Sequence, residues 1–127
     1  MLAIQIPLLK EKDIIIDSGN SFFKDSKNRE KKLKEKNILF LDVGISGGIK
    51  GARYGASLMV GGSIEGFYRC EDILRSLSAN YKGKPCYELL GPSGVGYFIK
   101  MVHNGIEYAL MQLIAEYYFI LKNIFNL

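Results

Sequence analysis

The sequence has few residues that bind metals or form disulfides. It contains two cysteines, Cys70 and Cys86, and one histidine, His103, with no C-x-x-C pair. A structural zinc site needs four such ligands at short spacings. The sequence therefore predicts no metal site, and we expect the two cysteines to be reduced, structural thiols.

Targeting and membrane-spanning segments are also not evident. The N-terminal apolar segment, residues 1–9, is shorter than a secretory signal peptide, lacks basic residues at its start and contains a proline. The apolar C-terminal part is interrupted by Lys100, Glu107 and Glu116. Each of them would cost about 2.5–3.5 kcal/mol near a bilayer centre. We therefore expect a cytoplasmic protein without a membrane partner.

The net charge of +4 is concentrated in a short basic stretch between Lys24 and Lys36. Acidic residues alternate with the basic ones, and Leu33 with neighbouring phenylalanines provides an apolar side. This pattern is typical of an amphipathic surface helix with a solvated charged face. It predicts no nucleic-acid partner, although the same positive field would attract an anionic small substrate.

Short β-branched runs alternate with longer amphipathic runs along most of the chain. At 127 residues the chain is long enough for one sizeable core. The short runs, at residues 14–16, 38–43, 58–60 and 86–90, are typical of parallel strands. The longer runs predict helices at about residues 24–36 and 65–79. The alternation predicts an α/β layered fold.

A third helix is predicted over residues 94–123, and it carries one polar stripe. Four polar residues recur at helical spacing and share one face: Lys100, His103, Asn104 and Glu107. Because the remaining residues are mostly apolar, we expect this helix to be largely buried. Its distal half needs apolar partners that the small predicted sheet does not supply. The stripe, roughly 10 Å long, suits an extended polar molecule.

A glycine-rich segment follows the second predicted strand. Residues 44–55 contain five glycines and are expected to form a loop whose backbone N–H groups can approach a ligand. Ordinary turns also use glycine, so both interpretations stay open for this segment alone. Ligands bind at strand ends in open α/β sheets, which makes this loop and Asn20, after the first strand, candidate binding elements.

Four segments carry motifs whose order and spacing extend from about residue 14 to residue 121. They read DSGNS at 17–21, LDVGISGG at 41–48, LMVGG at 58–62 and KMVHNGIEY at 100–108. Together they resemble the decarboxylating 6-phosphogluconate dehydrogenase family. The wider β-hydroxyacid dehydrogenase superfamily shares the SGG motif and the pattern of Gly94, Gly96, Lys100 and Asn104. Residues 103–108 continue the motif and narrow the resemblance to the 6-phosphogluconate dehydrogenase family.

The resemblance implies an oxidoreductase that oxidises 6-phosphogluconate with NADP and releases ribulose 5-phosphate and CO₂. This reaction belongs to gluconate utilization and the pentose phosphate pathway. By resemblance, Lys100 is the general base for hydride transfer, and Glu107 is the acid that protonates carbon. No metal is implied, because the newly formed ketone is itself the electron sink for decarboxylation. The resemblance also implies a homodimer in the complete enzyme.

Further site residues follow from the same resemblance. Asn20 corresponds to a position between cofactor and substrate, and it is implied to contact both. The implied substrate-binding residues are Ser46, Gly47, Gly48, His103, Asn104 and Tyr108.

The implied architecture is a partial Rossmann-like layered domain followed by a long catalytic helix. Residues 1–92 correspond to the C-terminal part of an NADP-binding domain, and residues 93–127 to the helix that leads into an all-helical domain. The glycine-rich dinucleotide fingerprint that should follow the first strand of such a domain is absent. We therefore expect a fragment of the enzyme, with doubtful activity by itself.

Two alternatives stay open. One is a different β-hydroxyacid dehydrogenase, which would prefer a substrate such as 3-hydroxyisobutyrate. The other is a non-catalytic truncated paralogue that uses its long helix to associate with a full-length subunit or with itself.

Overall fold

The computed structural model describes residues 6–125. After a 3-10 turn at Ile6–Leu8, the elements in chain order are β1 Ile14–Asp17, α1 Phe23–Lys34, β2 Leu39–Ser46, α2 Gly48–Tyr54, β3 Ser57–Gly62, α3 Ile64–Arg69, α4 Glu71–Leu77, β4 Asn80–Tyr81, β5 Lys84–Pro85, β6 Tyr87–Gly91 and α5 Val95–Asn123. The outer ends of the two predicted domains, 1–5 and 126–127, lie outside the described residues.

The main sheet has the strand order β1-β2-β3-β6 and mixed direction. β1 and β2 are parallel, as are β3 and β6, but β2 and β3 are antiparallel, with Val43 opposite Val60. The prediction of parallel strands is therefore wrong for the central pair. Residues 47–56, which join this pair, are fewer than the dozen or so that a parallel crossover needs. The chain instead returns beside β2 through the short helix α2.

Helices cover both faces of the sheet, as the predicted α/β layering requires. Successive β2 residues point to opposite faces. Leu41 and Val43 pack in a core cluster with Phe67 of α3 and Leu74 of α4. Phe40 packs on the other face in a cluster that includes Leu33 of α1. The first turns of α5 lie on the same face as α1 and contact β2 and β3.

The helix predicted over residues 65–79 is two helices. Cys70 has φ −103° and ψ 8°, which interrupts the helical backbone between α3 and α4. Arg69 ends the first helix, while Glu71 and Asp72 begin the second, and these charges suit the respective helix dipoles. Cys70 is a free thiol buried in the core, and this burial raises the pKa of the thiol.

The bounds of α5 agree with the prediction, but its burial does not. Gly96 and Tyr97 are the buried residues of this helix. At 1.5 Å per residue its 29 residues extend roughly 44 Å, so the sheet covers only the first turns. The predicted excess of apolar surface in the distal half is present, with Leu113, Tyr117 and Tyr118 more than 60% exposed.

Two smaller features complete the fold. α1 has a charged exposed side and buries Leu33, as its amphipathic pattern predicts. The hairpin of β4 and β5 was not predicted, and its turn uses Lys82 and Gly83 with positive φ. Over residues 6–125, none of the helices has the length and apolar character needed to cross a membrane.

Candidate active site

A cavity of about 360 Å³ lies between the end of β1 and the start of α5. It brings together Asn20, Lys100 and Asn104, three of the residues selected from the sequence. The remaining lining residues are Ser21, Phe22, Phe23, Tyr97 and Met101. The polar groups therefore stand beside the rings of Phe22 and Phe23, which sequence reasoning did not assign to the site.

The polar stripe of α5 continues beyond this cavity. His103 Nδ1 lies 3.1 Å from Asn104 Oδ1 and 3.8 Å from a carboxylate oxygen of Glu107. Asn104 is half-buried, whereas His103, Glu107 and Tyr108 are exposed. These three are not among the described residues that line the cavity. The stripe thus has one end in the cavity and the other on an open helix surface.

The segment predicted as a glycine-rich loop is mostly regular structure. β2 extends to Ser46, and α2 begins at Gly48. Gly47 and Gly48 have φ values of 154° and 57°, which favour glycine and allow this sharp change of direction. Gly51 faces Ala56 closely enough that an added Cβ would lie 3.5 Å from the alanine Cβ. Gly51 and Ala56 are therefore in van der Waals range just before β3 begins.

Lys100 can lie close to β2 because Gly44 has no side chain. A Cβ added at Gly44 would lie 2.8 Å from the Cβ of Lys100 and 2.7 Å from the carbonyl oxygen of Gly96. Side chains two residues apart in a strand share a face, so Ser46 lies on the same side of β2 as Gly44. Ser46 is half-buried, while Gly47 and Gly48 are exposed. Ser46 therefore lies on the face of β2 that contacts α5, and the SGG motif is not among the described residues that line the cavity.

The loop that carries Asn20 is fixed by Asp17 and Tyr97. The Asp17 carboxylate forms a 2.8 Å ion pair with Arg29 of α1 and accepts a 3.2 Å hydrogen bond from the Gly19 N–H. The Tyr97 hydroxyl donates to the Asp17 carbonyl oxygen at 2.7 Å. Burial, together with the neighbouring Asp17 side chain, raises the pKa of Tyr97 far above its ordinary value near 10. The end of β1 is thereby tied to the first turn of α5.

Sequence reasoning missed Asp42, a fully buried carboxylate in the middle of β2. Its Oδ1 accepts a 2.6 Å hydrogen bond from the Gly94 N–H, and its Oδ2 accepts a 3.1 Å hydrogen bond from the Tyr97 N–H. The signal was present, because a lone aspartate inside an apolar strand must find hydrogen-bond donors. Which donors it finds depends on how α5 packs against the sheet.

No cluster of three or more His, Cys, Asp or Glu side chains suited to a metal ion occurs in the part of the chain that the structure describes. The chemistry available at the cavity is that of an amine, two amides and the Ser21 hydroxyl beside aromatic rings. Such a set can bind and orient a polyhydroxylated substrate and move a proton.

Comparison with known proteins identifies relatives of both parts of the chain. A protein-family model described as the NAD binding domain of 6-phosphogluconate dehydrogenase matches residues 3–91. A second family model, described as the 6-phosphogluconate dehydrogenase C-terminal domain, matches residues 96–127. The first match covers more than half of the chain.

Individual relatives agree with these matches. The decarboxylating 6-phosphogluconate dehydrogenase 1 of Saccharomyces cerevisiae is 56% identical over 119 residues, which are 94% of this chain and 24% of the relative. The NADP(+)-dependent decarboxylating enzyme of Bacillus subtilis is 48% identical over 96% of this chain and 26% of its own length. The chain thus spans about a quarter of these curated relatives.

A solved structure gives the same result for the fold. The 6-phosphogluconate dehydrogenase of Plasmodium falciparum, described in its apo form and in complexes with NADP+ and with 6-phosphogluconate, superposes with a TM-score of 0.94. It is 44% identical and covers 99% of this chain and 27% of its own. The matched domain models, the identities and this superposition place the chain in the 6-phosphogluconate dehydrogenase family.

Proposed function

We propose that this chain carries the catalytic residues of an NADP-dependent, decarboxylating 6-phosphogluconate dehydrogenase. The reaction converts 6-phosphogluconate to ribulose 5-phosphate and CO₂, and we assign it to the pentose phosphate pathway in the cytoplasm. The observation that carries the proposal is the cavity shared by Asn20, Lys100 and Asn104. These residues come from separate segments that both match the family motifs.

Lys100 is proposed as the general base. Its side chain is half-buried at the cavity wall, so the amine can contact a bound substrate and still exchange protons with solvent. In its neutral form it accepts the proton of the C3 hydroxyl group while hydride leaves C3. NADP, when bound, supplies the hydride acceptor. The resulting β-keto carboxylate loses CO₂ while its ketone oxygen takes up the proton held by Lys100, which leaves an enediol.

Glu107 is proposed as the acid that protonates the enediol carbon. It lies two helical turns after Lys100 on the same stripe, close to His103. It is exposed in this chain, so the role requires that substrate or further protein covers this part of α5. A 6-phosphogluconate molecule extended along the stripe would meet Lys100 and Glu107 at different carbons.

The remaining polar residues are proposed to hold the substrate. Asn104, with its amide at the cavity, can bind substrate hydroxyl groups there. The half-buried Ser46 and the exposed backbone of Gly47 and Gly48 offer donors at the end of β2. His103 and Tyr108 extend the binding surface along α5.

The described residues fit one end of the cofactor. Asn20, at the cavity beside an apolar wall, would hold the nicotinamide end. The sequence has no G-x-G-x-x-G fingerprint to bind the pyrophosphate, so this chain by itself offers a partial cofactor site. We accordingly propose residues 1–92 as part of the NADP-binding domain and residues 93–127 as the start of the helical domain. The exposed apolar surface of α5 supports a homodimer in the complete enzyme.

A chimera tests this function directly. This chain would replace the matching segment of the 56%-identical yeast relative, and NADPH formation from 6-phosphogluconate would be followed by absorbance. We expect turnover within about tenfold of the parent enzyme, and a much lower rate with 3-hydroxyisobutyrate.

Two results would overturn the proposal. A folded, soluble chimera without turnover would mean that these residues do not carry the chemistry. A preference for 3-hydroxyisobutyrate would assign the chain to another β-hydroxyacid dehydrogenase. The 127-residue chain, assayed alone in parallel, measures how far the partial cofactor site limits activity.

A further inference from the structure

The buried carboxylate of Asp42 connects the sheet to the helix that carries Lys100. It lies in the centre of β2 with no solvent exposure, and both of its oxygens accept hydrogen bonds from the first turn of α5. The first N–H groups of a helix have no partner within the helix. A negative charge at that position also complements the helix dipole. One side chain therefore satisfies two otherwise unpaired N–H groups.

Small residues around Asp42 make this contact possible. A Cβ added at Gly61 of β3 would lie 2.9 Å from Asp42 Oδ1 and 2.8 Å from the Gly96 nitrogen. Gly94 has φ 91°, a value that favours glycine. The helix end can thus approach the carboxylate without side chains between them. A carboxylate buried this deeply would be costly without these donors.

The same contact lies beside the candidate site. Tyr97, which donates its N–H to Asp42, lies almost one turn before Lys100 and donates its hydroxyl to the Asp17 carbonyl oxygen near Asn20. On β2, Gly44 faces the Cβ of Lys100, and Ser46 follows on the same face. The helix turn that is hydrogen-bonded to Asp42 thus contacts both strands whose ends carry site residues.

We propose that Asp42 is a positioning residue, which holds the first turn of α5 on β2 and thereby sets Lys100 relative to Asn20 and Ser46. The structural part of this proposal concerns the chain alone. Its catalytic consequence rests on the proposed function. Asp42 does not touch the cavity, so it acts through the position of Lys100.

The structural part is tested by NMR on the 127-residue chain without any substitution. We expect the Gly94 amide proton to resonate far downfield, because it donates a short hydrogen bond to a charged oxygen. The Gly94 and Tyr97 amides should also exchange slowly with solvent. A Gly94 shift near its random-coil value, with fast exchange, would overturn the proposal.

Substitution separates positioning from ordinary stabilisation. Asp42→Asn retains the size of the side chain but offers one acceptor oxygen, so one of the two N–H groups faces an NH₂ group. We expect the Asn20, Ser46 and Lys100 resonances to shift. Ser63→Ala is the matched control, because Ser63 caps α3 by accepting a 3.2 Å hydrogen bond from Gly66. The control should leave the site resonances unchanged at the same fraction folded.

The catalytic consequence is measured in the chimera with the yeast relative. Asp42→Asn should lower kcat by about 10–100-fold, since a displacement near 1 Å can reduce a rate by that amount. Asp42→Glu should recover part of the loss. Unchanged kcat together with shifted site resonances would refute the catalytic role of Asp42 but not the dehydrogenase function. An inactive parent chimera would refute the function and leave the NMR result standing.

Discussion

Lys100 is the residue on which the proposed chemistry depends. It is half-buried, lines the cavity with Asn20 and Asn104, and packs close to Gly44. In the chimera, Lys100→Met should lower kcat by at least about 10²–10⁴-fold, the usual contribution of a general base. NADPH formation measures the loss, and far-ultraviolet circular dichroism checks the fold. Lys50→Met, which alters an exposed lysine of α2, is the control, and comparable losses in both variants would contradict the role.

Glu107 can be tested by a matched pair of substitutions on α5. Glu107→Gln removes the acid while keeping the size of the side chain, so we expect product formation to fall by about 10²-fold or more. Glu116→Gln is the control, because Glu116 is exposed and its carboxylate accepts a 2.9 Å hydrogen bond from Gln112. Release of ribulose 5-phosphate at an undiminished rate in Glu107→Gln would assign protonation to another group.

Tyr97 predicts a specific loss of stability in alkali. Its pKa is raised in the folded chain, chiefly by burial and next by the Asp17 side chain. Above pH 10 the unfolded chain loses this proton while the folded chain keeps it. The contribution of Tyr97 to the free energy of unfolding is therefore complete below pH 10. Above pH 10 it declines by about 1.4 kcal/mol per pH unit.

Tyr97→Phe lacks both this proton and the 2.7 Å hydrogen bond to Asp17. At pH 7 we expect the variant to be less stable by about 0.5–1.5 kcal/mol. Urea unfolding between pH 7 and pH 11 should show this difference shrinking once the pH exceeds 10. A difference that stays constant over the whole range would mean that Tyr97 ionises equally in both states.

At the scale of elements, the contact between α5 and the sheet depends on glycines in both. An added methyl group at Gly44 would press on Lys100 and on the Gly96 backbone. Gly44→Ala should destabilise the chain by about 1–3 kcal/mol, the usual cost of overpacking, and displace α5. Denaturant unfolding measures the free energy, and Lys100 resonances report the displacement.

Gly105→Ala is the matched control for this element. Gly105 lies in α5 with nothing within 4 Å of an added Cβ, so alanine should stabilise the helix by about 0.5–1 kcal/mol. Equal destabilisation of both variants would mean that α5 does not rest closely on β2.

At the scale of the whole molecule, the distal half of α5 exposes a large apolar surface. Such surfaces mark interaction sites, so the 127-residue chain should self-associate, with a mass that increases with concentration in analytical ultracentrifugation. The pair Ile114→Lys and Tyr118→Lys, one turn apart on one face, should reduce the association. Ile114 and Tyr118 are 69% and 63% exposed.

Two lysines introduced elsewhere show whether reduced association comes from this face of α5 or from the added positive charge. Tyr54→Lys and Tyr68→Lys alter exposed aromatic residues of α2 and α3 and should leave the association unchanged. A monomer at every concentration would contradict the prediction for α5.

The sequence by itself determined several of the local elements and the set of residues proposed for the site. Hydrophobic periodicity and the residues that end helices and strands are local properties. The strand runs, α1 and the bounds of α5 could therefore be predicted, as could the polar stripe from Lys100 to Glu107. Tertiary structure decided what those elements meet. The short return through α2 made β3 antiparallel to β2, and the limited size of the sheet left most of α5 exposed. The partners of Asp42 and the cavity joining Asn20 to Lys100 likewise arise from contacts between distant segments, which no local pattern specifies.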